Sequence, residues 1–210
     1  MNFSSPKATG GVNAGKIILH LCADLGTDSE PYRRAGYDVR CVGKDQDVRK
    51  FAPPPNVYGI IANPVCTMFS NARCNAKKDR DFKEGMELVE ACLRIVWQCQ
   101  YQPVSNTAKF TRLKFWMLEN PYKGMLKHFM GEPPFHYSPW EYGDIYKKST
   151  AIWGFYNIPP KTHFFYPVGM KKFDALLSHE IHPEHTHLTR TERRSVCSAK
   201  FAQAFFEANQ

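Results

Sequence analysis

A chain of 210 residues with 43% hydrophobic residues is long enough to bury one α/β core, and it lacks any apolar run near the ~18 residues a membrane span requires. Its net charge of +8, from 28 Lys and Arg against 20 Asp and Glu, favours a polyanionic partner, nucleic acid first among them. Seven cysteines with no CxxC pair and no zinc-ligand spacing speak against a disulfide or zinc framework and for a reduced, intracellular, cytoplasmic protein.

Residues 1–15, "MNFSSPKATGGVNAG", have no apolar centre and read as a flexible leader, with one domain over 16–210. "KIILHL" (16–21) is a predicted first strand, followed by the turn "CADLGTDSE". "SEPYRRAGY" reads as a short helix with Ser29 as its cap, Pro31 in the first turn and Gly36 past its end. "DVRCV" and "VYGIIA" are β-branched and read as strands. Between Asp81 and Gln98, Phe82, Met86, Val89, Leu93, Val96 and Trp97 recur at helical spacing and predict a helix packed through that stripe. "KFWMLEN" (114–120) and "STAIWGFY" are further strands. The C-terminal segment ends in a helix with Phe201, Ala204 and Phe205 on one face. Residues 101–113 and 157–190 are irregular and polar.

Strands alternating with helices predict a doubly wound, mostly parallel, Rossmann-like sheet, whose ligands bind beyond the carboxyl ends of the strands. Three chemically suggestive turns fall at such ends: "CADLGTDS", "ANPVCTMFS" and "LENP". Cys66, past a strand and beside a helix start and basic side chains, is placed to hold a depressed pKa and act as a nucleophile. Glu119 ends the neighbouring strand, where enclosure would raise its pKa for proton transfer. The first turn carries Gly26, where a backbone can approach a cofactor closely, and Asp47 follows the second strand, where such sheets hold an adenosine. The run "HEIHPEHTH" is HExH rather than HExxH and is interrupted by Pro183, so it reads as a solvated or DNA-facing loop rather than a metal site.

In order, these turns resemble the motifs of cytosine-5 DNA methyltransferases, particularly the small phage and prophage type. "LHLCADLGTDSEPYRRAGYDV" is similar to the S-adenosylmethionine turn, "GIIANPVCTMFS" to the Pro-Pro-Cys loop and "WMLENP" to the Glu-Asn motif. "YGDIYKKSTAIWG" resembles the later motif in which a lysine and a threonine precede a strand. The resemblance implies a methyltransferase-type sheet and methyl transfer from S-adenosylmethionine to carbon-5 of a flipped cytosine in DNA. It implies Cys66 as nucleophile and Glu119 as acid. Leu21, Cys22, Ala23, Gly26, Asp47 and Pro64 would lie around the cofactor, and Ser70, Asn120, Lys148 and Thr150 around the base. Residues 157–190 would be a reduced DNA-contacting stretch. Val65 stands where the motif has its second proline, Asp24 and Thr27 where it has glycines, and Gly43 where an acid binds the ribose, with Asp45 a possible substitute. A free pyrimidine nucleotide as substrate, or a DNA-binding protein without turnover, are the alternatives. No membrane and no metal are expected as partners.

Overall fold

The computed structural model describes residues 11–23, 25–73, 76–101, 113–169 and 187–210. Six strands form one sheet in the order β2-β1-β3-β4-β6-β5. They are β1 (Ile17–Leu21), β2 (Asp38–Val42), β3 (Val57–Ala62), β4 (Phe115–Pro121), β5 (Phe135–Tyr137) and β6 (Thr150–Phe155). β1 pairs with β2 and β3, and β3 with β4, all in parallel. β6 runs antiparallel to both β4 and β5. The sheet is thus mixed, mostly parallel and Rossmann-like, with a reversed pair at one edge. β5 has only three residues, too short to leave a periodic signal, which is why the sequence pattern missed it.

Among the described residues the helices are α1 (Glu30–Arg34), α2 (Phe82–Gln100), α3 (Lys127–Met130), α4 (Arg190–Ser195) and α5 (Ala199–Ala208). They cover both faces of the sheet, because strands buried on both sides point alternate residues in opposite directions. Leu19, Leu21, Ile60 and Leu118 join the α2 layer with Val89, Cys92, Ile95 and Val96. Ile18, Ile61, Phe115 and Met117 face an aromatic layer with Tyr32 of α1 and Phe201 and Phe205 of α5. Within it the Tyr137 and Phe201 rings stack 3.7 Å apart.

Three local expectations need correction. The buried face of α2 runs through Gly85, Val89, Cys92, Ile95, Val96 and Cys99, while Trp97 is 51% exposed. Small Gly and Cys side chains permit close packing there, and the apolar pattern overweighted the large residues beside them. Asp81 does cap α2, accepting from the Glu84 amide at 2.9 Å. Ser29 does not cap α1: its hydroxyl is taken up by the Gly26 carbonyl and by His20. Part of the expected leader makes a turn tied to α1, since the Asn13 amide donates to the Ala35 carbonyl at 3.0 Å.

Candidate active site at the carboxyl ends of the strands

β1, β3 and β4 end together, and their register decides what meets there. His20 pairs in register with Ile61, and Ile61 with Met117. Two residues further along, on the same face by alternation, stand Asn63 and Glu119. The face that is aromatic lower down becomes polar at the strand ends.

His20 is 1% exposed and Asp28 6%. His20 Nδ1 lies 2.8 Å from Ser29 Oγ, whose one hydroxyl proton is donated to the Gly26 carbonyl. Its Nε2 lies 2.8 Å from Asn63 Oδ1, while the Asn63 amide donates to Asp28 at 3.3 Å. With the Asn63 amide turned to Asp28, its oxygen faces His20 Nε2, which therefore carries a proton. Asp28 stands 4.0 Å from the ring as counter-charge. Burial works against the charge, but the Cys41 thiol, Asp28 and Asn63 together raise the His20 pKa.

Glu119 is half-buried, and desolvation by the surrounding protein pushes its carboxyl pKa up. Lys148 pulls it down, Asp28 adds to the rise, and a hydrogen bond from Asn63 favours the ionised form. The balance leaves the Glu119 carboxyl above its ordinary pKa, with burial as the main cause.

Cys66 opens a 3-10 turn, Cys66–Met68, directly after Pro64 and Val65. Its carbonyl accepts from the amides of Phe69 at 3.0 Å and Ser70 at 2.8 Å. Asn120 is fully buried and its amide donates to the Pro64 carbonyl at 3.0 Å, tying this loop to the end of β4. Asn120 Oδ1 is buried and has no partner among the described residues, an acceptor beside the loop. The expected depression of the Cys66 pKa is corrected: burial first, then the charge of Glu119, raises it, and Lys148 and Arg194 offset this only in part. A three-residue 3-10 turn supplies too little helix dipole to reverse that balance.

The remaining expected positions fall into two groups. Lys148 donates to the Val196 carbonyl at 3.0 Å and acts electrostatically on both Glu119 and Cys66, so it belongs to the site. Ser70 lies at the end of the Cys66 turn, where its hydroxyl accepts from the Ala72 amide at 3.2 Å. Thr150 is buried, and its hydroxyl returns to the Lys148 carbonyl at 2.9 Å, which shapes that lysine's turn. Leu21, Cys22, Ala23 and Gly26 form the bend over the end of β1. Cys22 has φ 56 and Gly26 φ 69, both left-handed, and a Cβ on Gly26 would come within 3.3 Å of Cys41 Sγ. Asp47 is removed from this cluster in its bonding, since Arg49 engages both its carboxylate oxygens at 2.9 to 3.2 Å. Asp24 and the histidines of the run other than His187 lie outside the described residues. Among the described residues, no group of three or more His, Cys, Asp and Glu is arranged to hold a metal, and no helix is long and apolar enough to cross a membrane.

Sequence reasoning missed His20, Asp28, Asn63 and Cys197. The buried thiol of Cys197 feels Asp28, Lys148 and Glu119, and its backbone amide donates to Thr27 at 3.0 Å. A histidine at an even position of an otherwise aliphatic strand was the one available signal.

No family model matches the chain, and no curated protein matches it.

Proposed function

We propose that the chain methylates carbon-5 of cytosine in DNA, with S-adenosylmethionine as methyl donor, Cys66 as nucleophile and Glu119 as the acid. The reading is carried by one observation: a loop thiol and a carboxyl of raised pKa, following adjacent parallel strands, share one polar cluster in which the Glu119 charge and Lys148 both act on Cys66. The mostly parallel sheet and the order of the motifs along it are consistent with this reading. The site's fit to a donor rests on the left-handed turn at Gly26, where a backbone without a side chain can approach a ligand closely. Asp28 beside it is the one buried carboxyl among the described residues, shared with the His20 ring. Leu21, Cys22, Ala23, Gly26 and Pro64 would hold the donor, which supplies an electrophilic methyl group.

The chain's own residues then have defined tasks. Carbon-5 of cytosine is a weak nucleophile while the ring stays aromatic. Cys66 loses its thiol proton to solvent and forms a bond to carbon-6, and the displaced electron pair is held at ring nitrogen 3 by the Glu119 proton. Carbon-5 takes the methyl group of the bound donor, whose sulfur–methyl bond breaks to leave a neutral thioether. Loss of the carbon-5 hydrogen as a proton to solvent restores the carbon-5 to carbon-6 double bond and expels the Cys66 sulfur, and nitrogen 3 returns its proton to Glu119. The raised thiol pKa makes deprotonation part of the barrier. Lys148 and Arg194, which favour the thiolate, lower that barrier. A base inside a duplex is out of reach, so the target must leave the stack.

The test is incubation with labelled S-adenosylmethionine and either DNA or dCMP, together with DNA carrying 5-fluorocytosine. Fluorine cannot depart as a proton does, so wild-type protein should accumulate a covalent DNA adduct that Cys66→Ala does not form. Label in dCMP alone would move the substrate to the free nucleotide. Label in neither, or an adduct that survives Cys66→Ala, would overturn the mechanism.

A further inference from the structure

Three consecutive aromatic residues, Phe164, Phe165 and Tyr166, are 73%, 89% and 53% exposed. Single exposed apolar side chains are ordinary, but a contiguous group of rings marks an interaction surface. The segment that carries them is anchored at the site's rim. Tyr137, the last residue of β5, pairs with Thr150, and Thr150 pairs with Pro121 just beyond Glu119 and Asn120. The chain after Tyr137 turns through Pro139–Tyr142, and the Glu141 carbonyl there accepts from the amides of Thr162 and His163, both at 3.0 Å. Tyr166 packs against Trp140 with ring centroids 5.0 Å apart, and Lys147 Nζ sits 4.1 Å from the Tyr166 centroid. Lys147 is the chain neighbour of Lys148, which acts on Cys66 and Glu119.

We infer that the exposed rings of Phe164 and Phe165, next in the chain to a Tyr166 that packs on Trp140 and lies under Lys147, dock an unpaired nucleic-acid strand. The inference rests on the proposed function for its link to the reacting base. Charge and ring type choose the occupant. The chain carries an excess of eight positive charges. The two acids that follow Trp140 in the chain are already engaged, Glu141 by Lys161 and by the Ser138 amide, and Asp144 by Ser198. Ring faces beside an ammonium group suit bases beside phosphates, because every base offers a π-face irrespective of its identity. In a duplex those faces are covered by neighbouring pairs, whereas a single strand offers them freely. The substrate class that follows is single-stranded or locally opened DNA, read with little sequence preference.

The test measures anisotropy of a labelled oligo-dT strand, a duplex of equal length, and an abasic strand with the same phosphates. The proteins are wild type, Phe164→Ala/Phe165→Ala and Phe164→Leu/Phe165→Leu, with circular dichroism as a check on folding. Wild type should bind oligo-dT about tenfold or more tighter than the abasic strand, the range in which base stacking contributes, and tighter than the duplex. Both double variants should lose that margin, leucine included, because it keeps apolar area without a ring. Equal binding of the abasic strand, tighter binding of the duplex, or full retention by the leucine variant would overturn the inference. So would a wild-type dimer that the variants dissociate with oligo-dT binding unchanged, which makes the exposed rings a contact between copies. The two readings fail separately. Stacking-dependent binding without methyl transfer removes the proposed reaction and leaves the docking rings, while methylation of duplex DNA untouched by the double variants does the reverse.

Discussion

Glu119 and Cys66 belong to one cluster but are held in different ways. Glu119 sits within a ladder, between β3, whose Ala62 pairs with Leu118, and β6, whose Ile152 pairs with Glu119 itself. Cys66 rides on a short turn fixed at a few points. Phe69 is fully buried and its carbonyl accepts from the Met125 amide at 2.8 Å, Arg80 reaches the Met68 carbonyl at 2.8 Å, and Asn120 holds Pro64. A sheet fixes a side chain within the tolerance of its hydrogen-bond register, whereas a tethered turn can adjust by small dihedral changes. In the proposed reaction the acid keeps one position throughout, while the sulfur must form and break a bond to carbon.

The strongest way to break this contrast is to change the fixed partner's chemistry without its shape. Glu119→Gln keeps a hydrogen-bonding group on β4 but cannot transfer a proton. Turnover should fall by ~10² to 10⁴, the usual contribution of a general acid or base, with DNA affinity nearly unchanged. Steady-state rates and anisotropy on the same preparation decide it, and equal losses in both would make Glu119 a structural residue.

The turn is addressed by Gly85→Ala. A Cβ there would lie 2.9 Å from Met68 Cβ and 3.0 Å from Phe69 Cζ, so the Cys66 turn must shift. Overpacking costs ~1 to 3 kcal/mol and alanine's helix preference returns about 1 kcal/mol, leaving a net loss on the order of 1 kcal/mol. The 5-fluorocytosine adduct should form more slowly than this loss alone explains. An unchanged adduct rate would show that the turn tolerates displacement.

The smallest effect is on the dependence of stability on pH. The folded pKa of Glu119 is raised above its unfolded value, so the unfolded chain ionises first as pH rises. Glu119 therefore weighs against the fold progressively from the ordinary carboxylate range up to its raised pKa, and not below that range. Glu119→Gln should melt higher than wild type at neutral pH, with the gap closing toward pH ~4, where the carboxyl is neutral in both states. Melting curves across pH test this. A gap that persists in acid would place its cause in packing.

Much of the frame was legible because its signals are local. β-branched runs marked β1, β2 and β3, helical spacing marked α2, and Pro64 and Pro121 punctuated the two strand ends. The approach of Cys66 and Glu119 was also legible, since parallel neighbours in such a sheet end at the same rim. Ser29 misled because a capping serine and one bonded to a buried histidine look alike in sequence.

The sequence by itself determined five of the six strand segments, all but β5, the residue types at their ends and the basic excess. Only the tertiary structure decided the reversed pairing of β5 and β6, because strand direction depends on which backbone groups meet across the sheet rather than on composition. It also decided the protonation of the site. Asp28, His20 and Asn63 come from separate segments to meet beside Glu119, and burial there outweighs Lys148 and Arg194 to keep the Cys66 proton in place. A pKa is set by everything packed within a few ångströms of a group, and that neighbourhood exists only once the chain has folded.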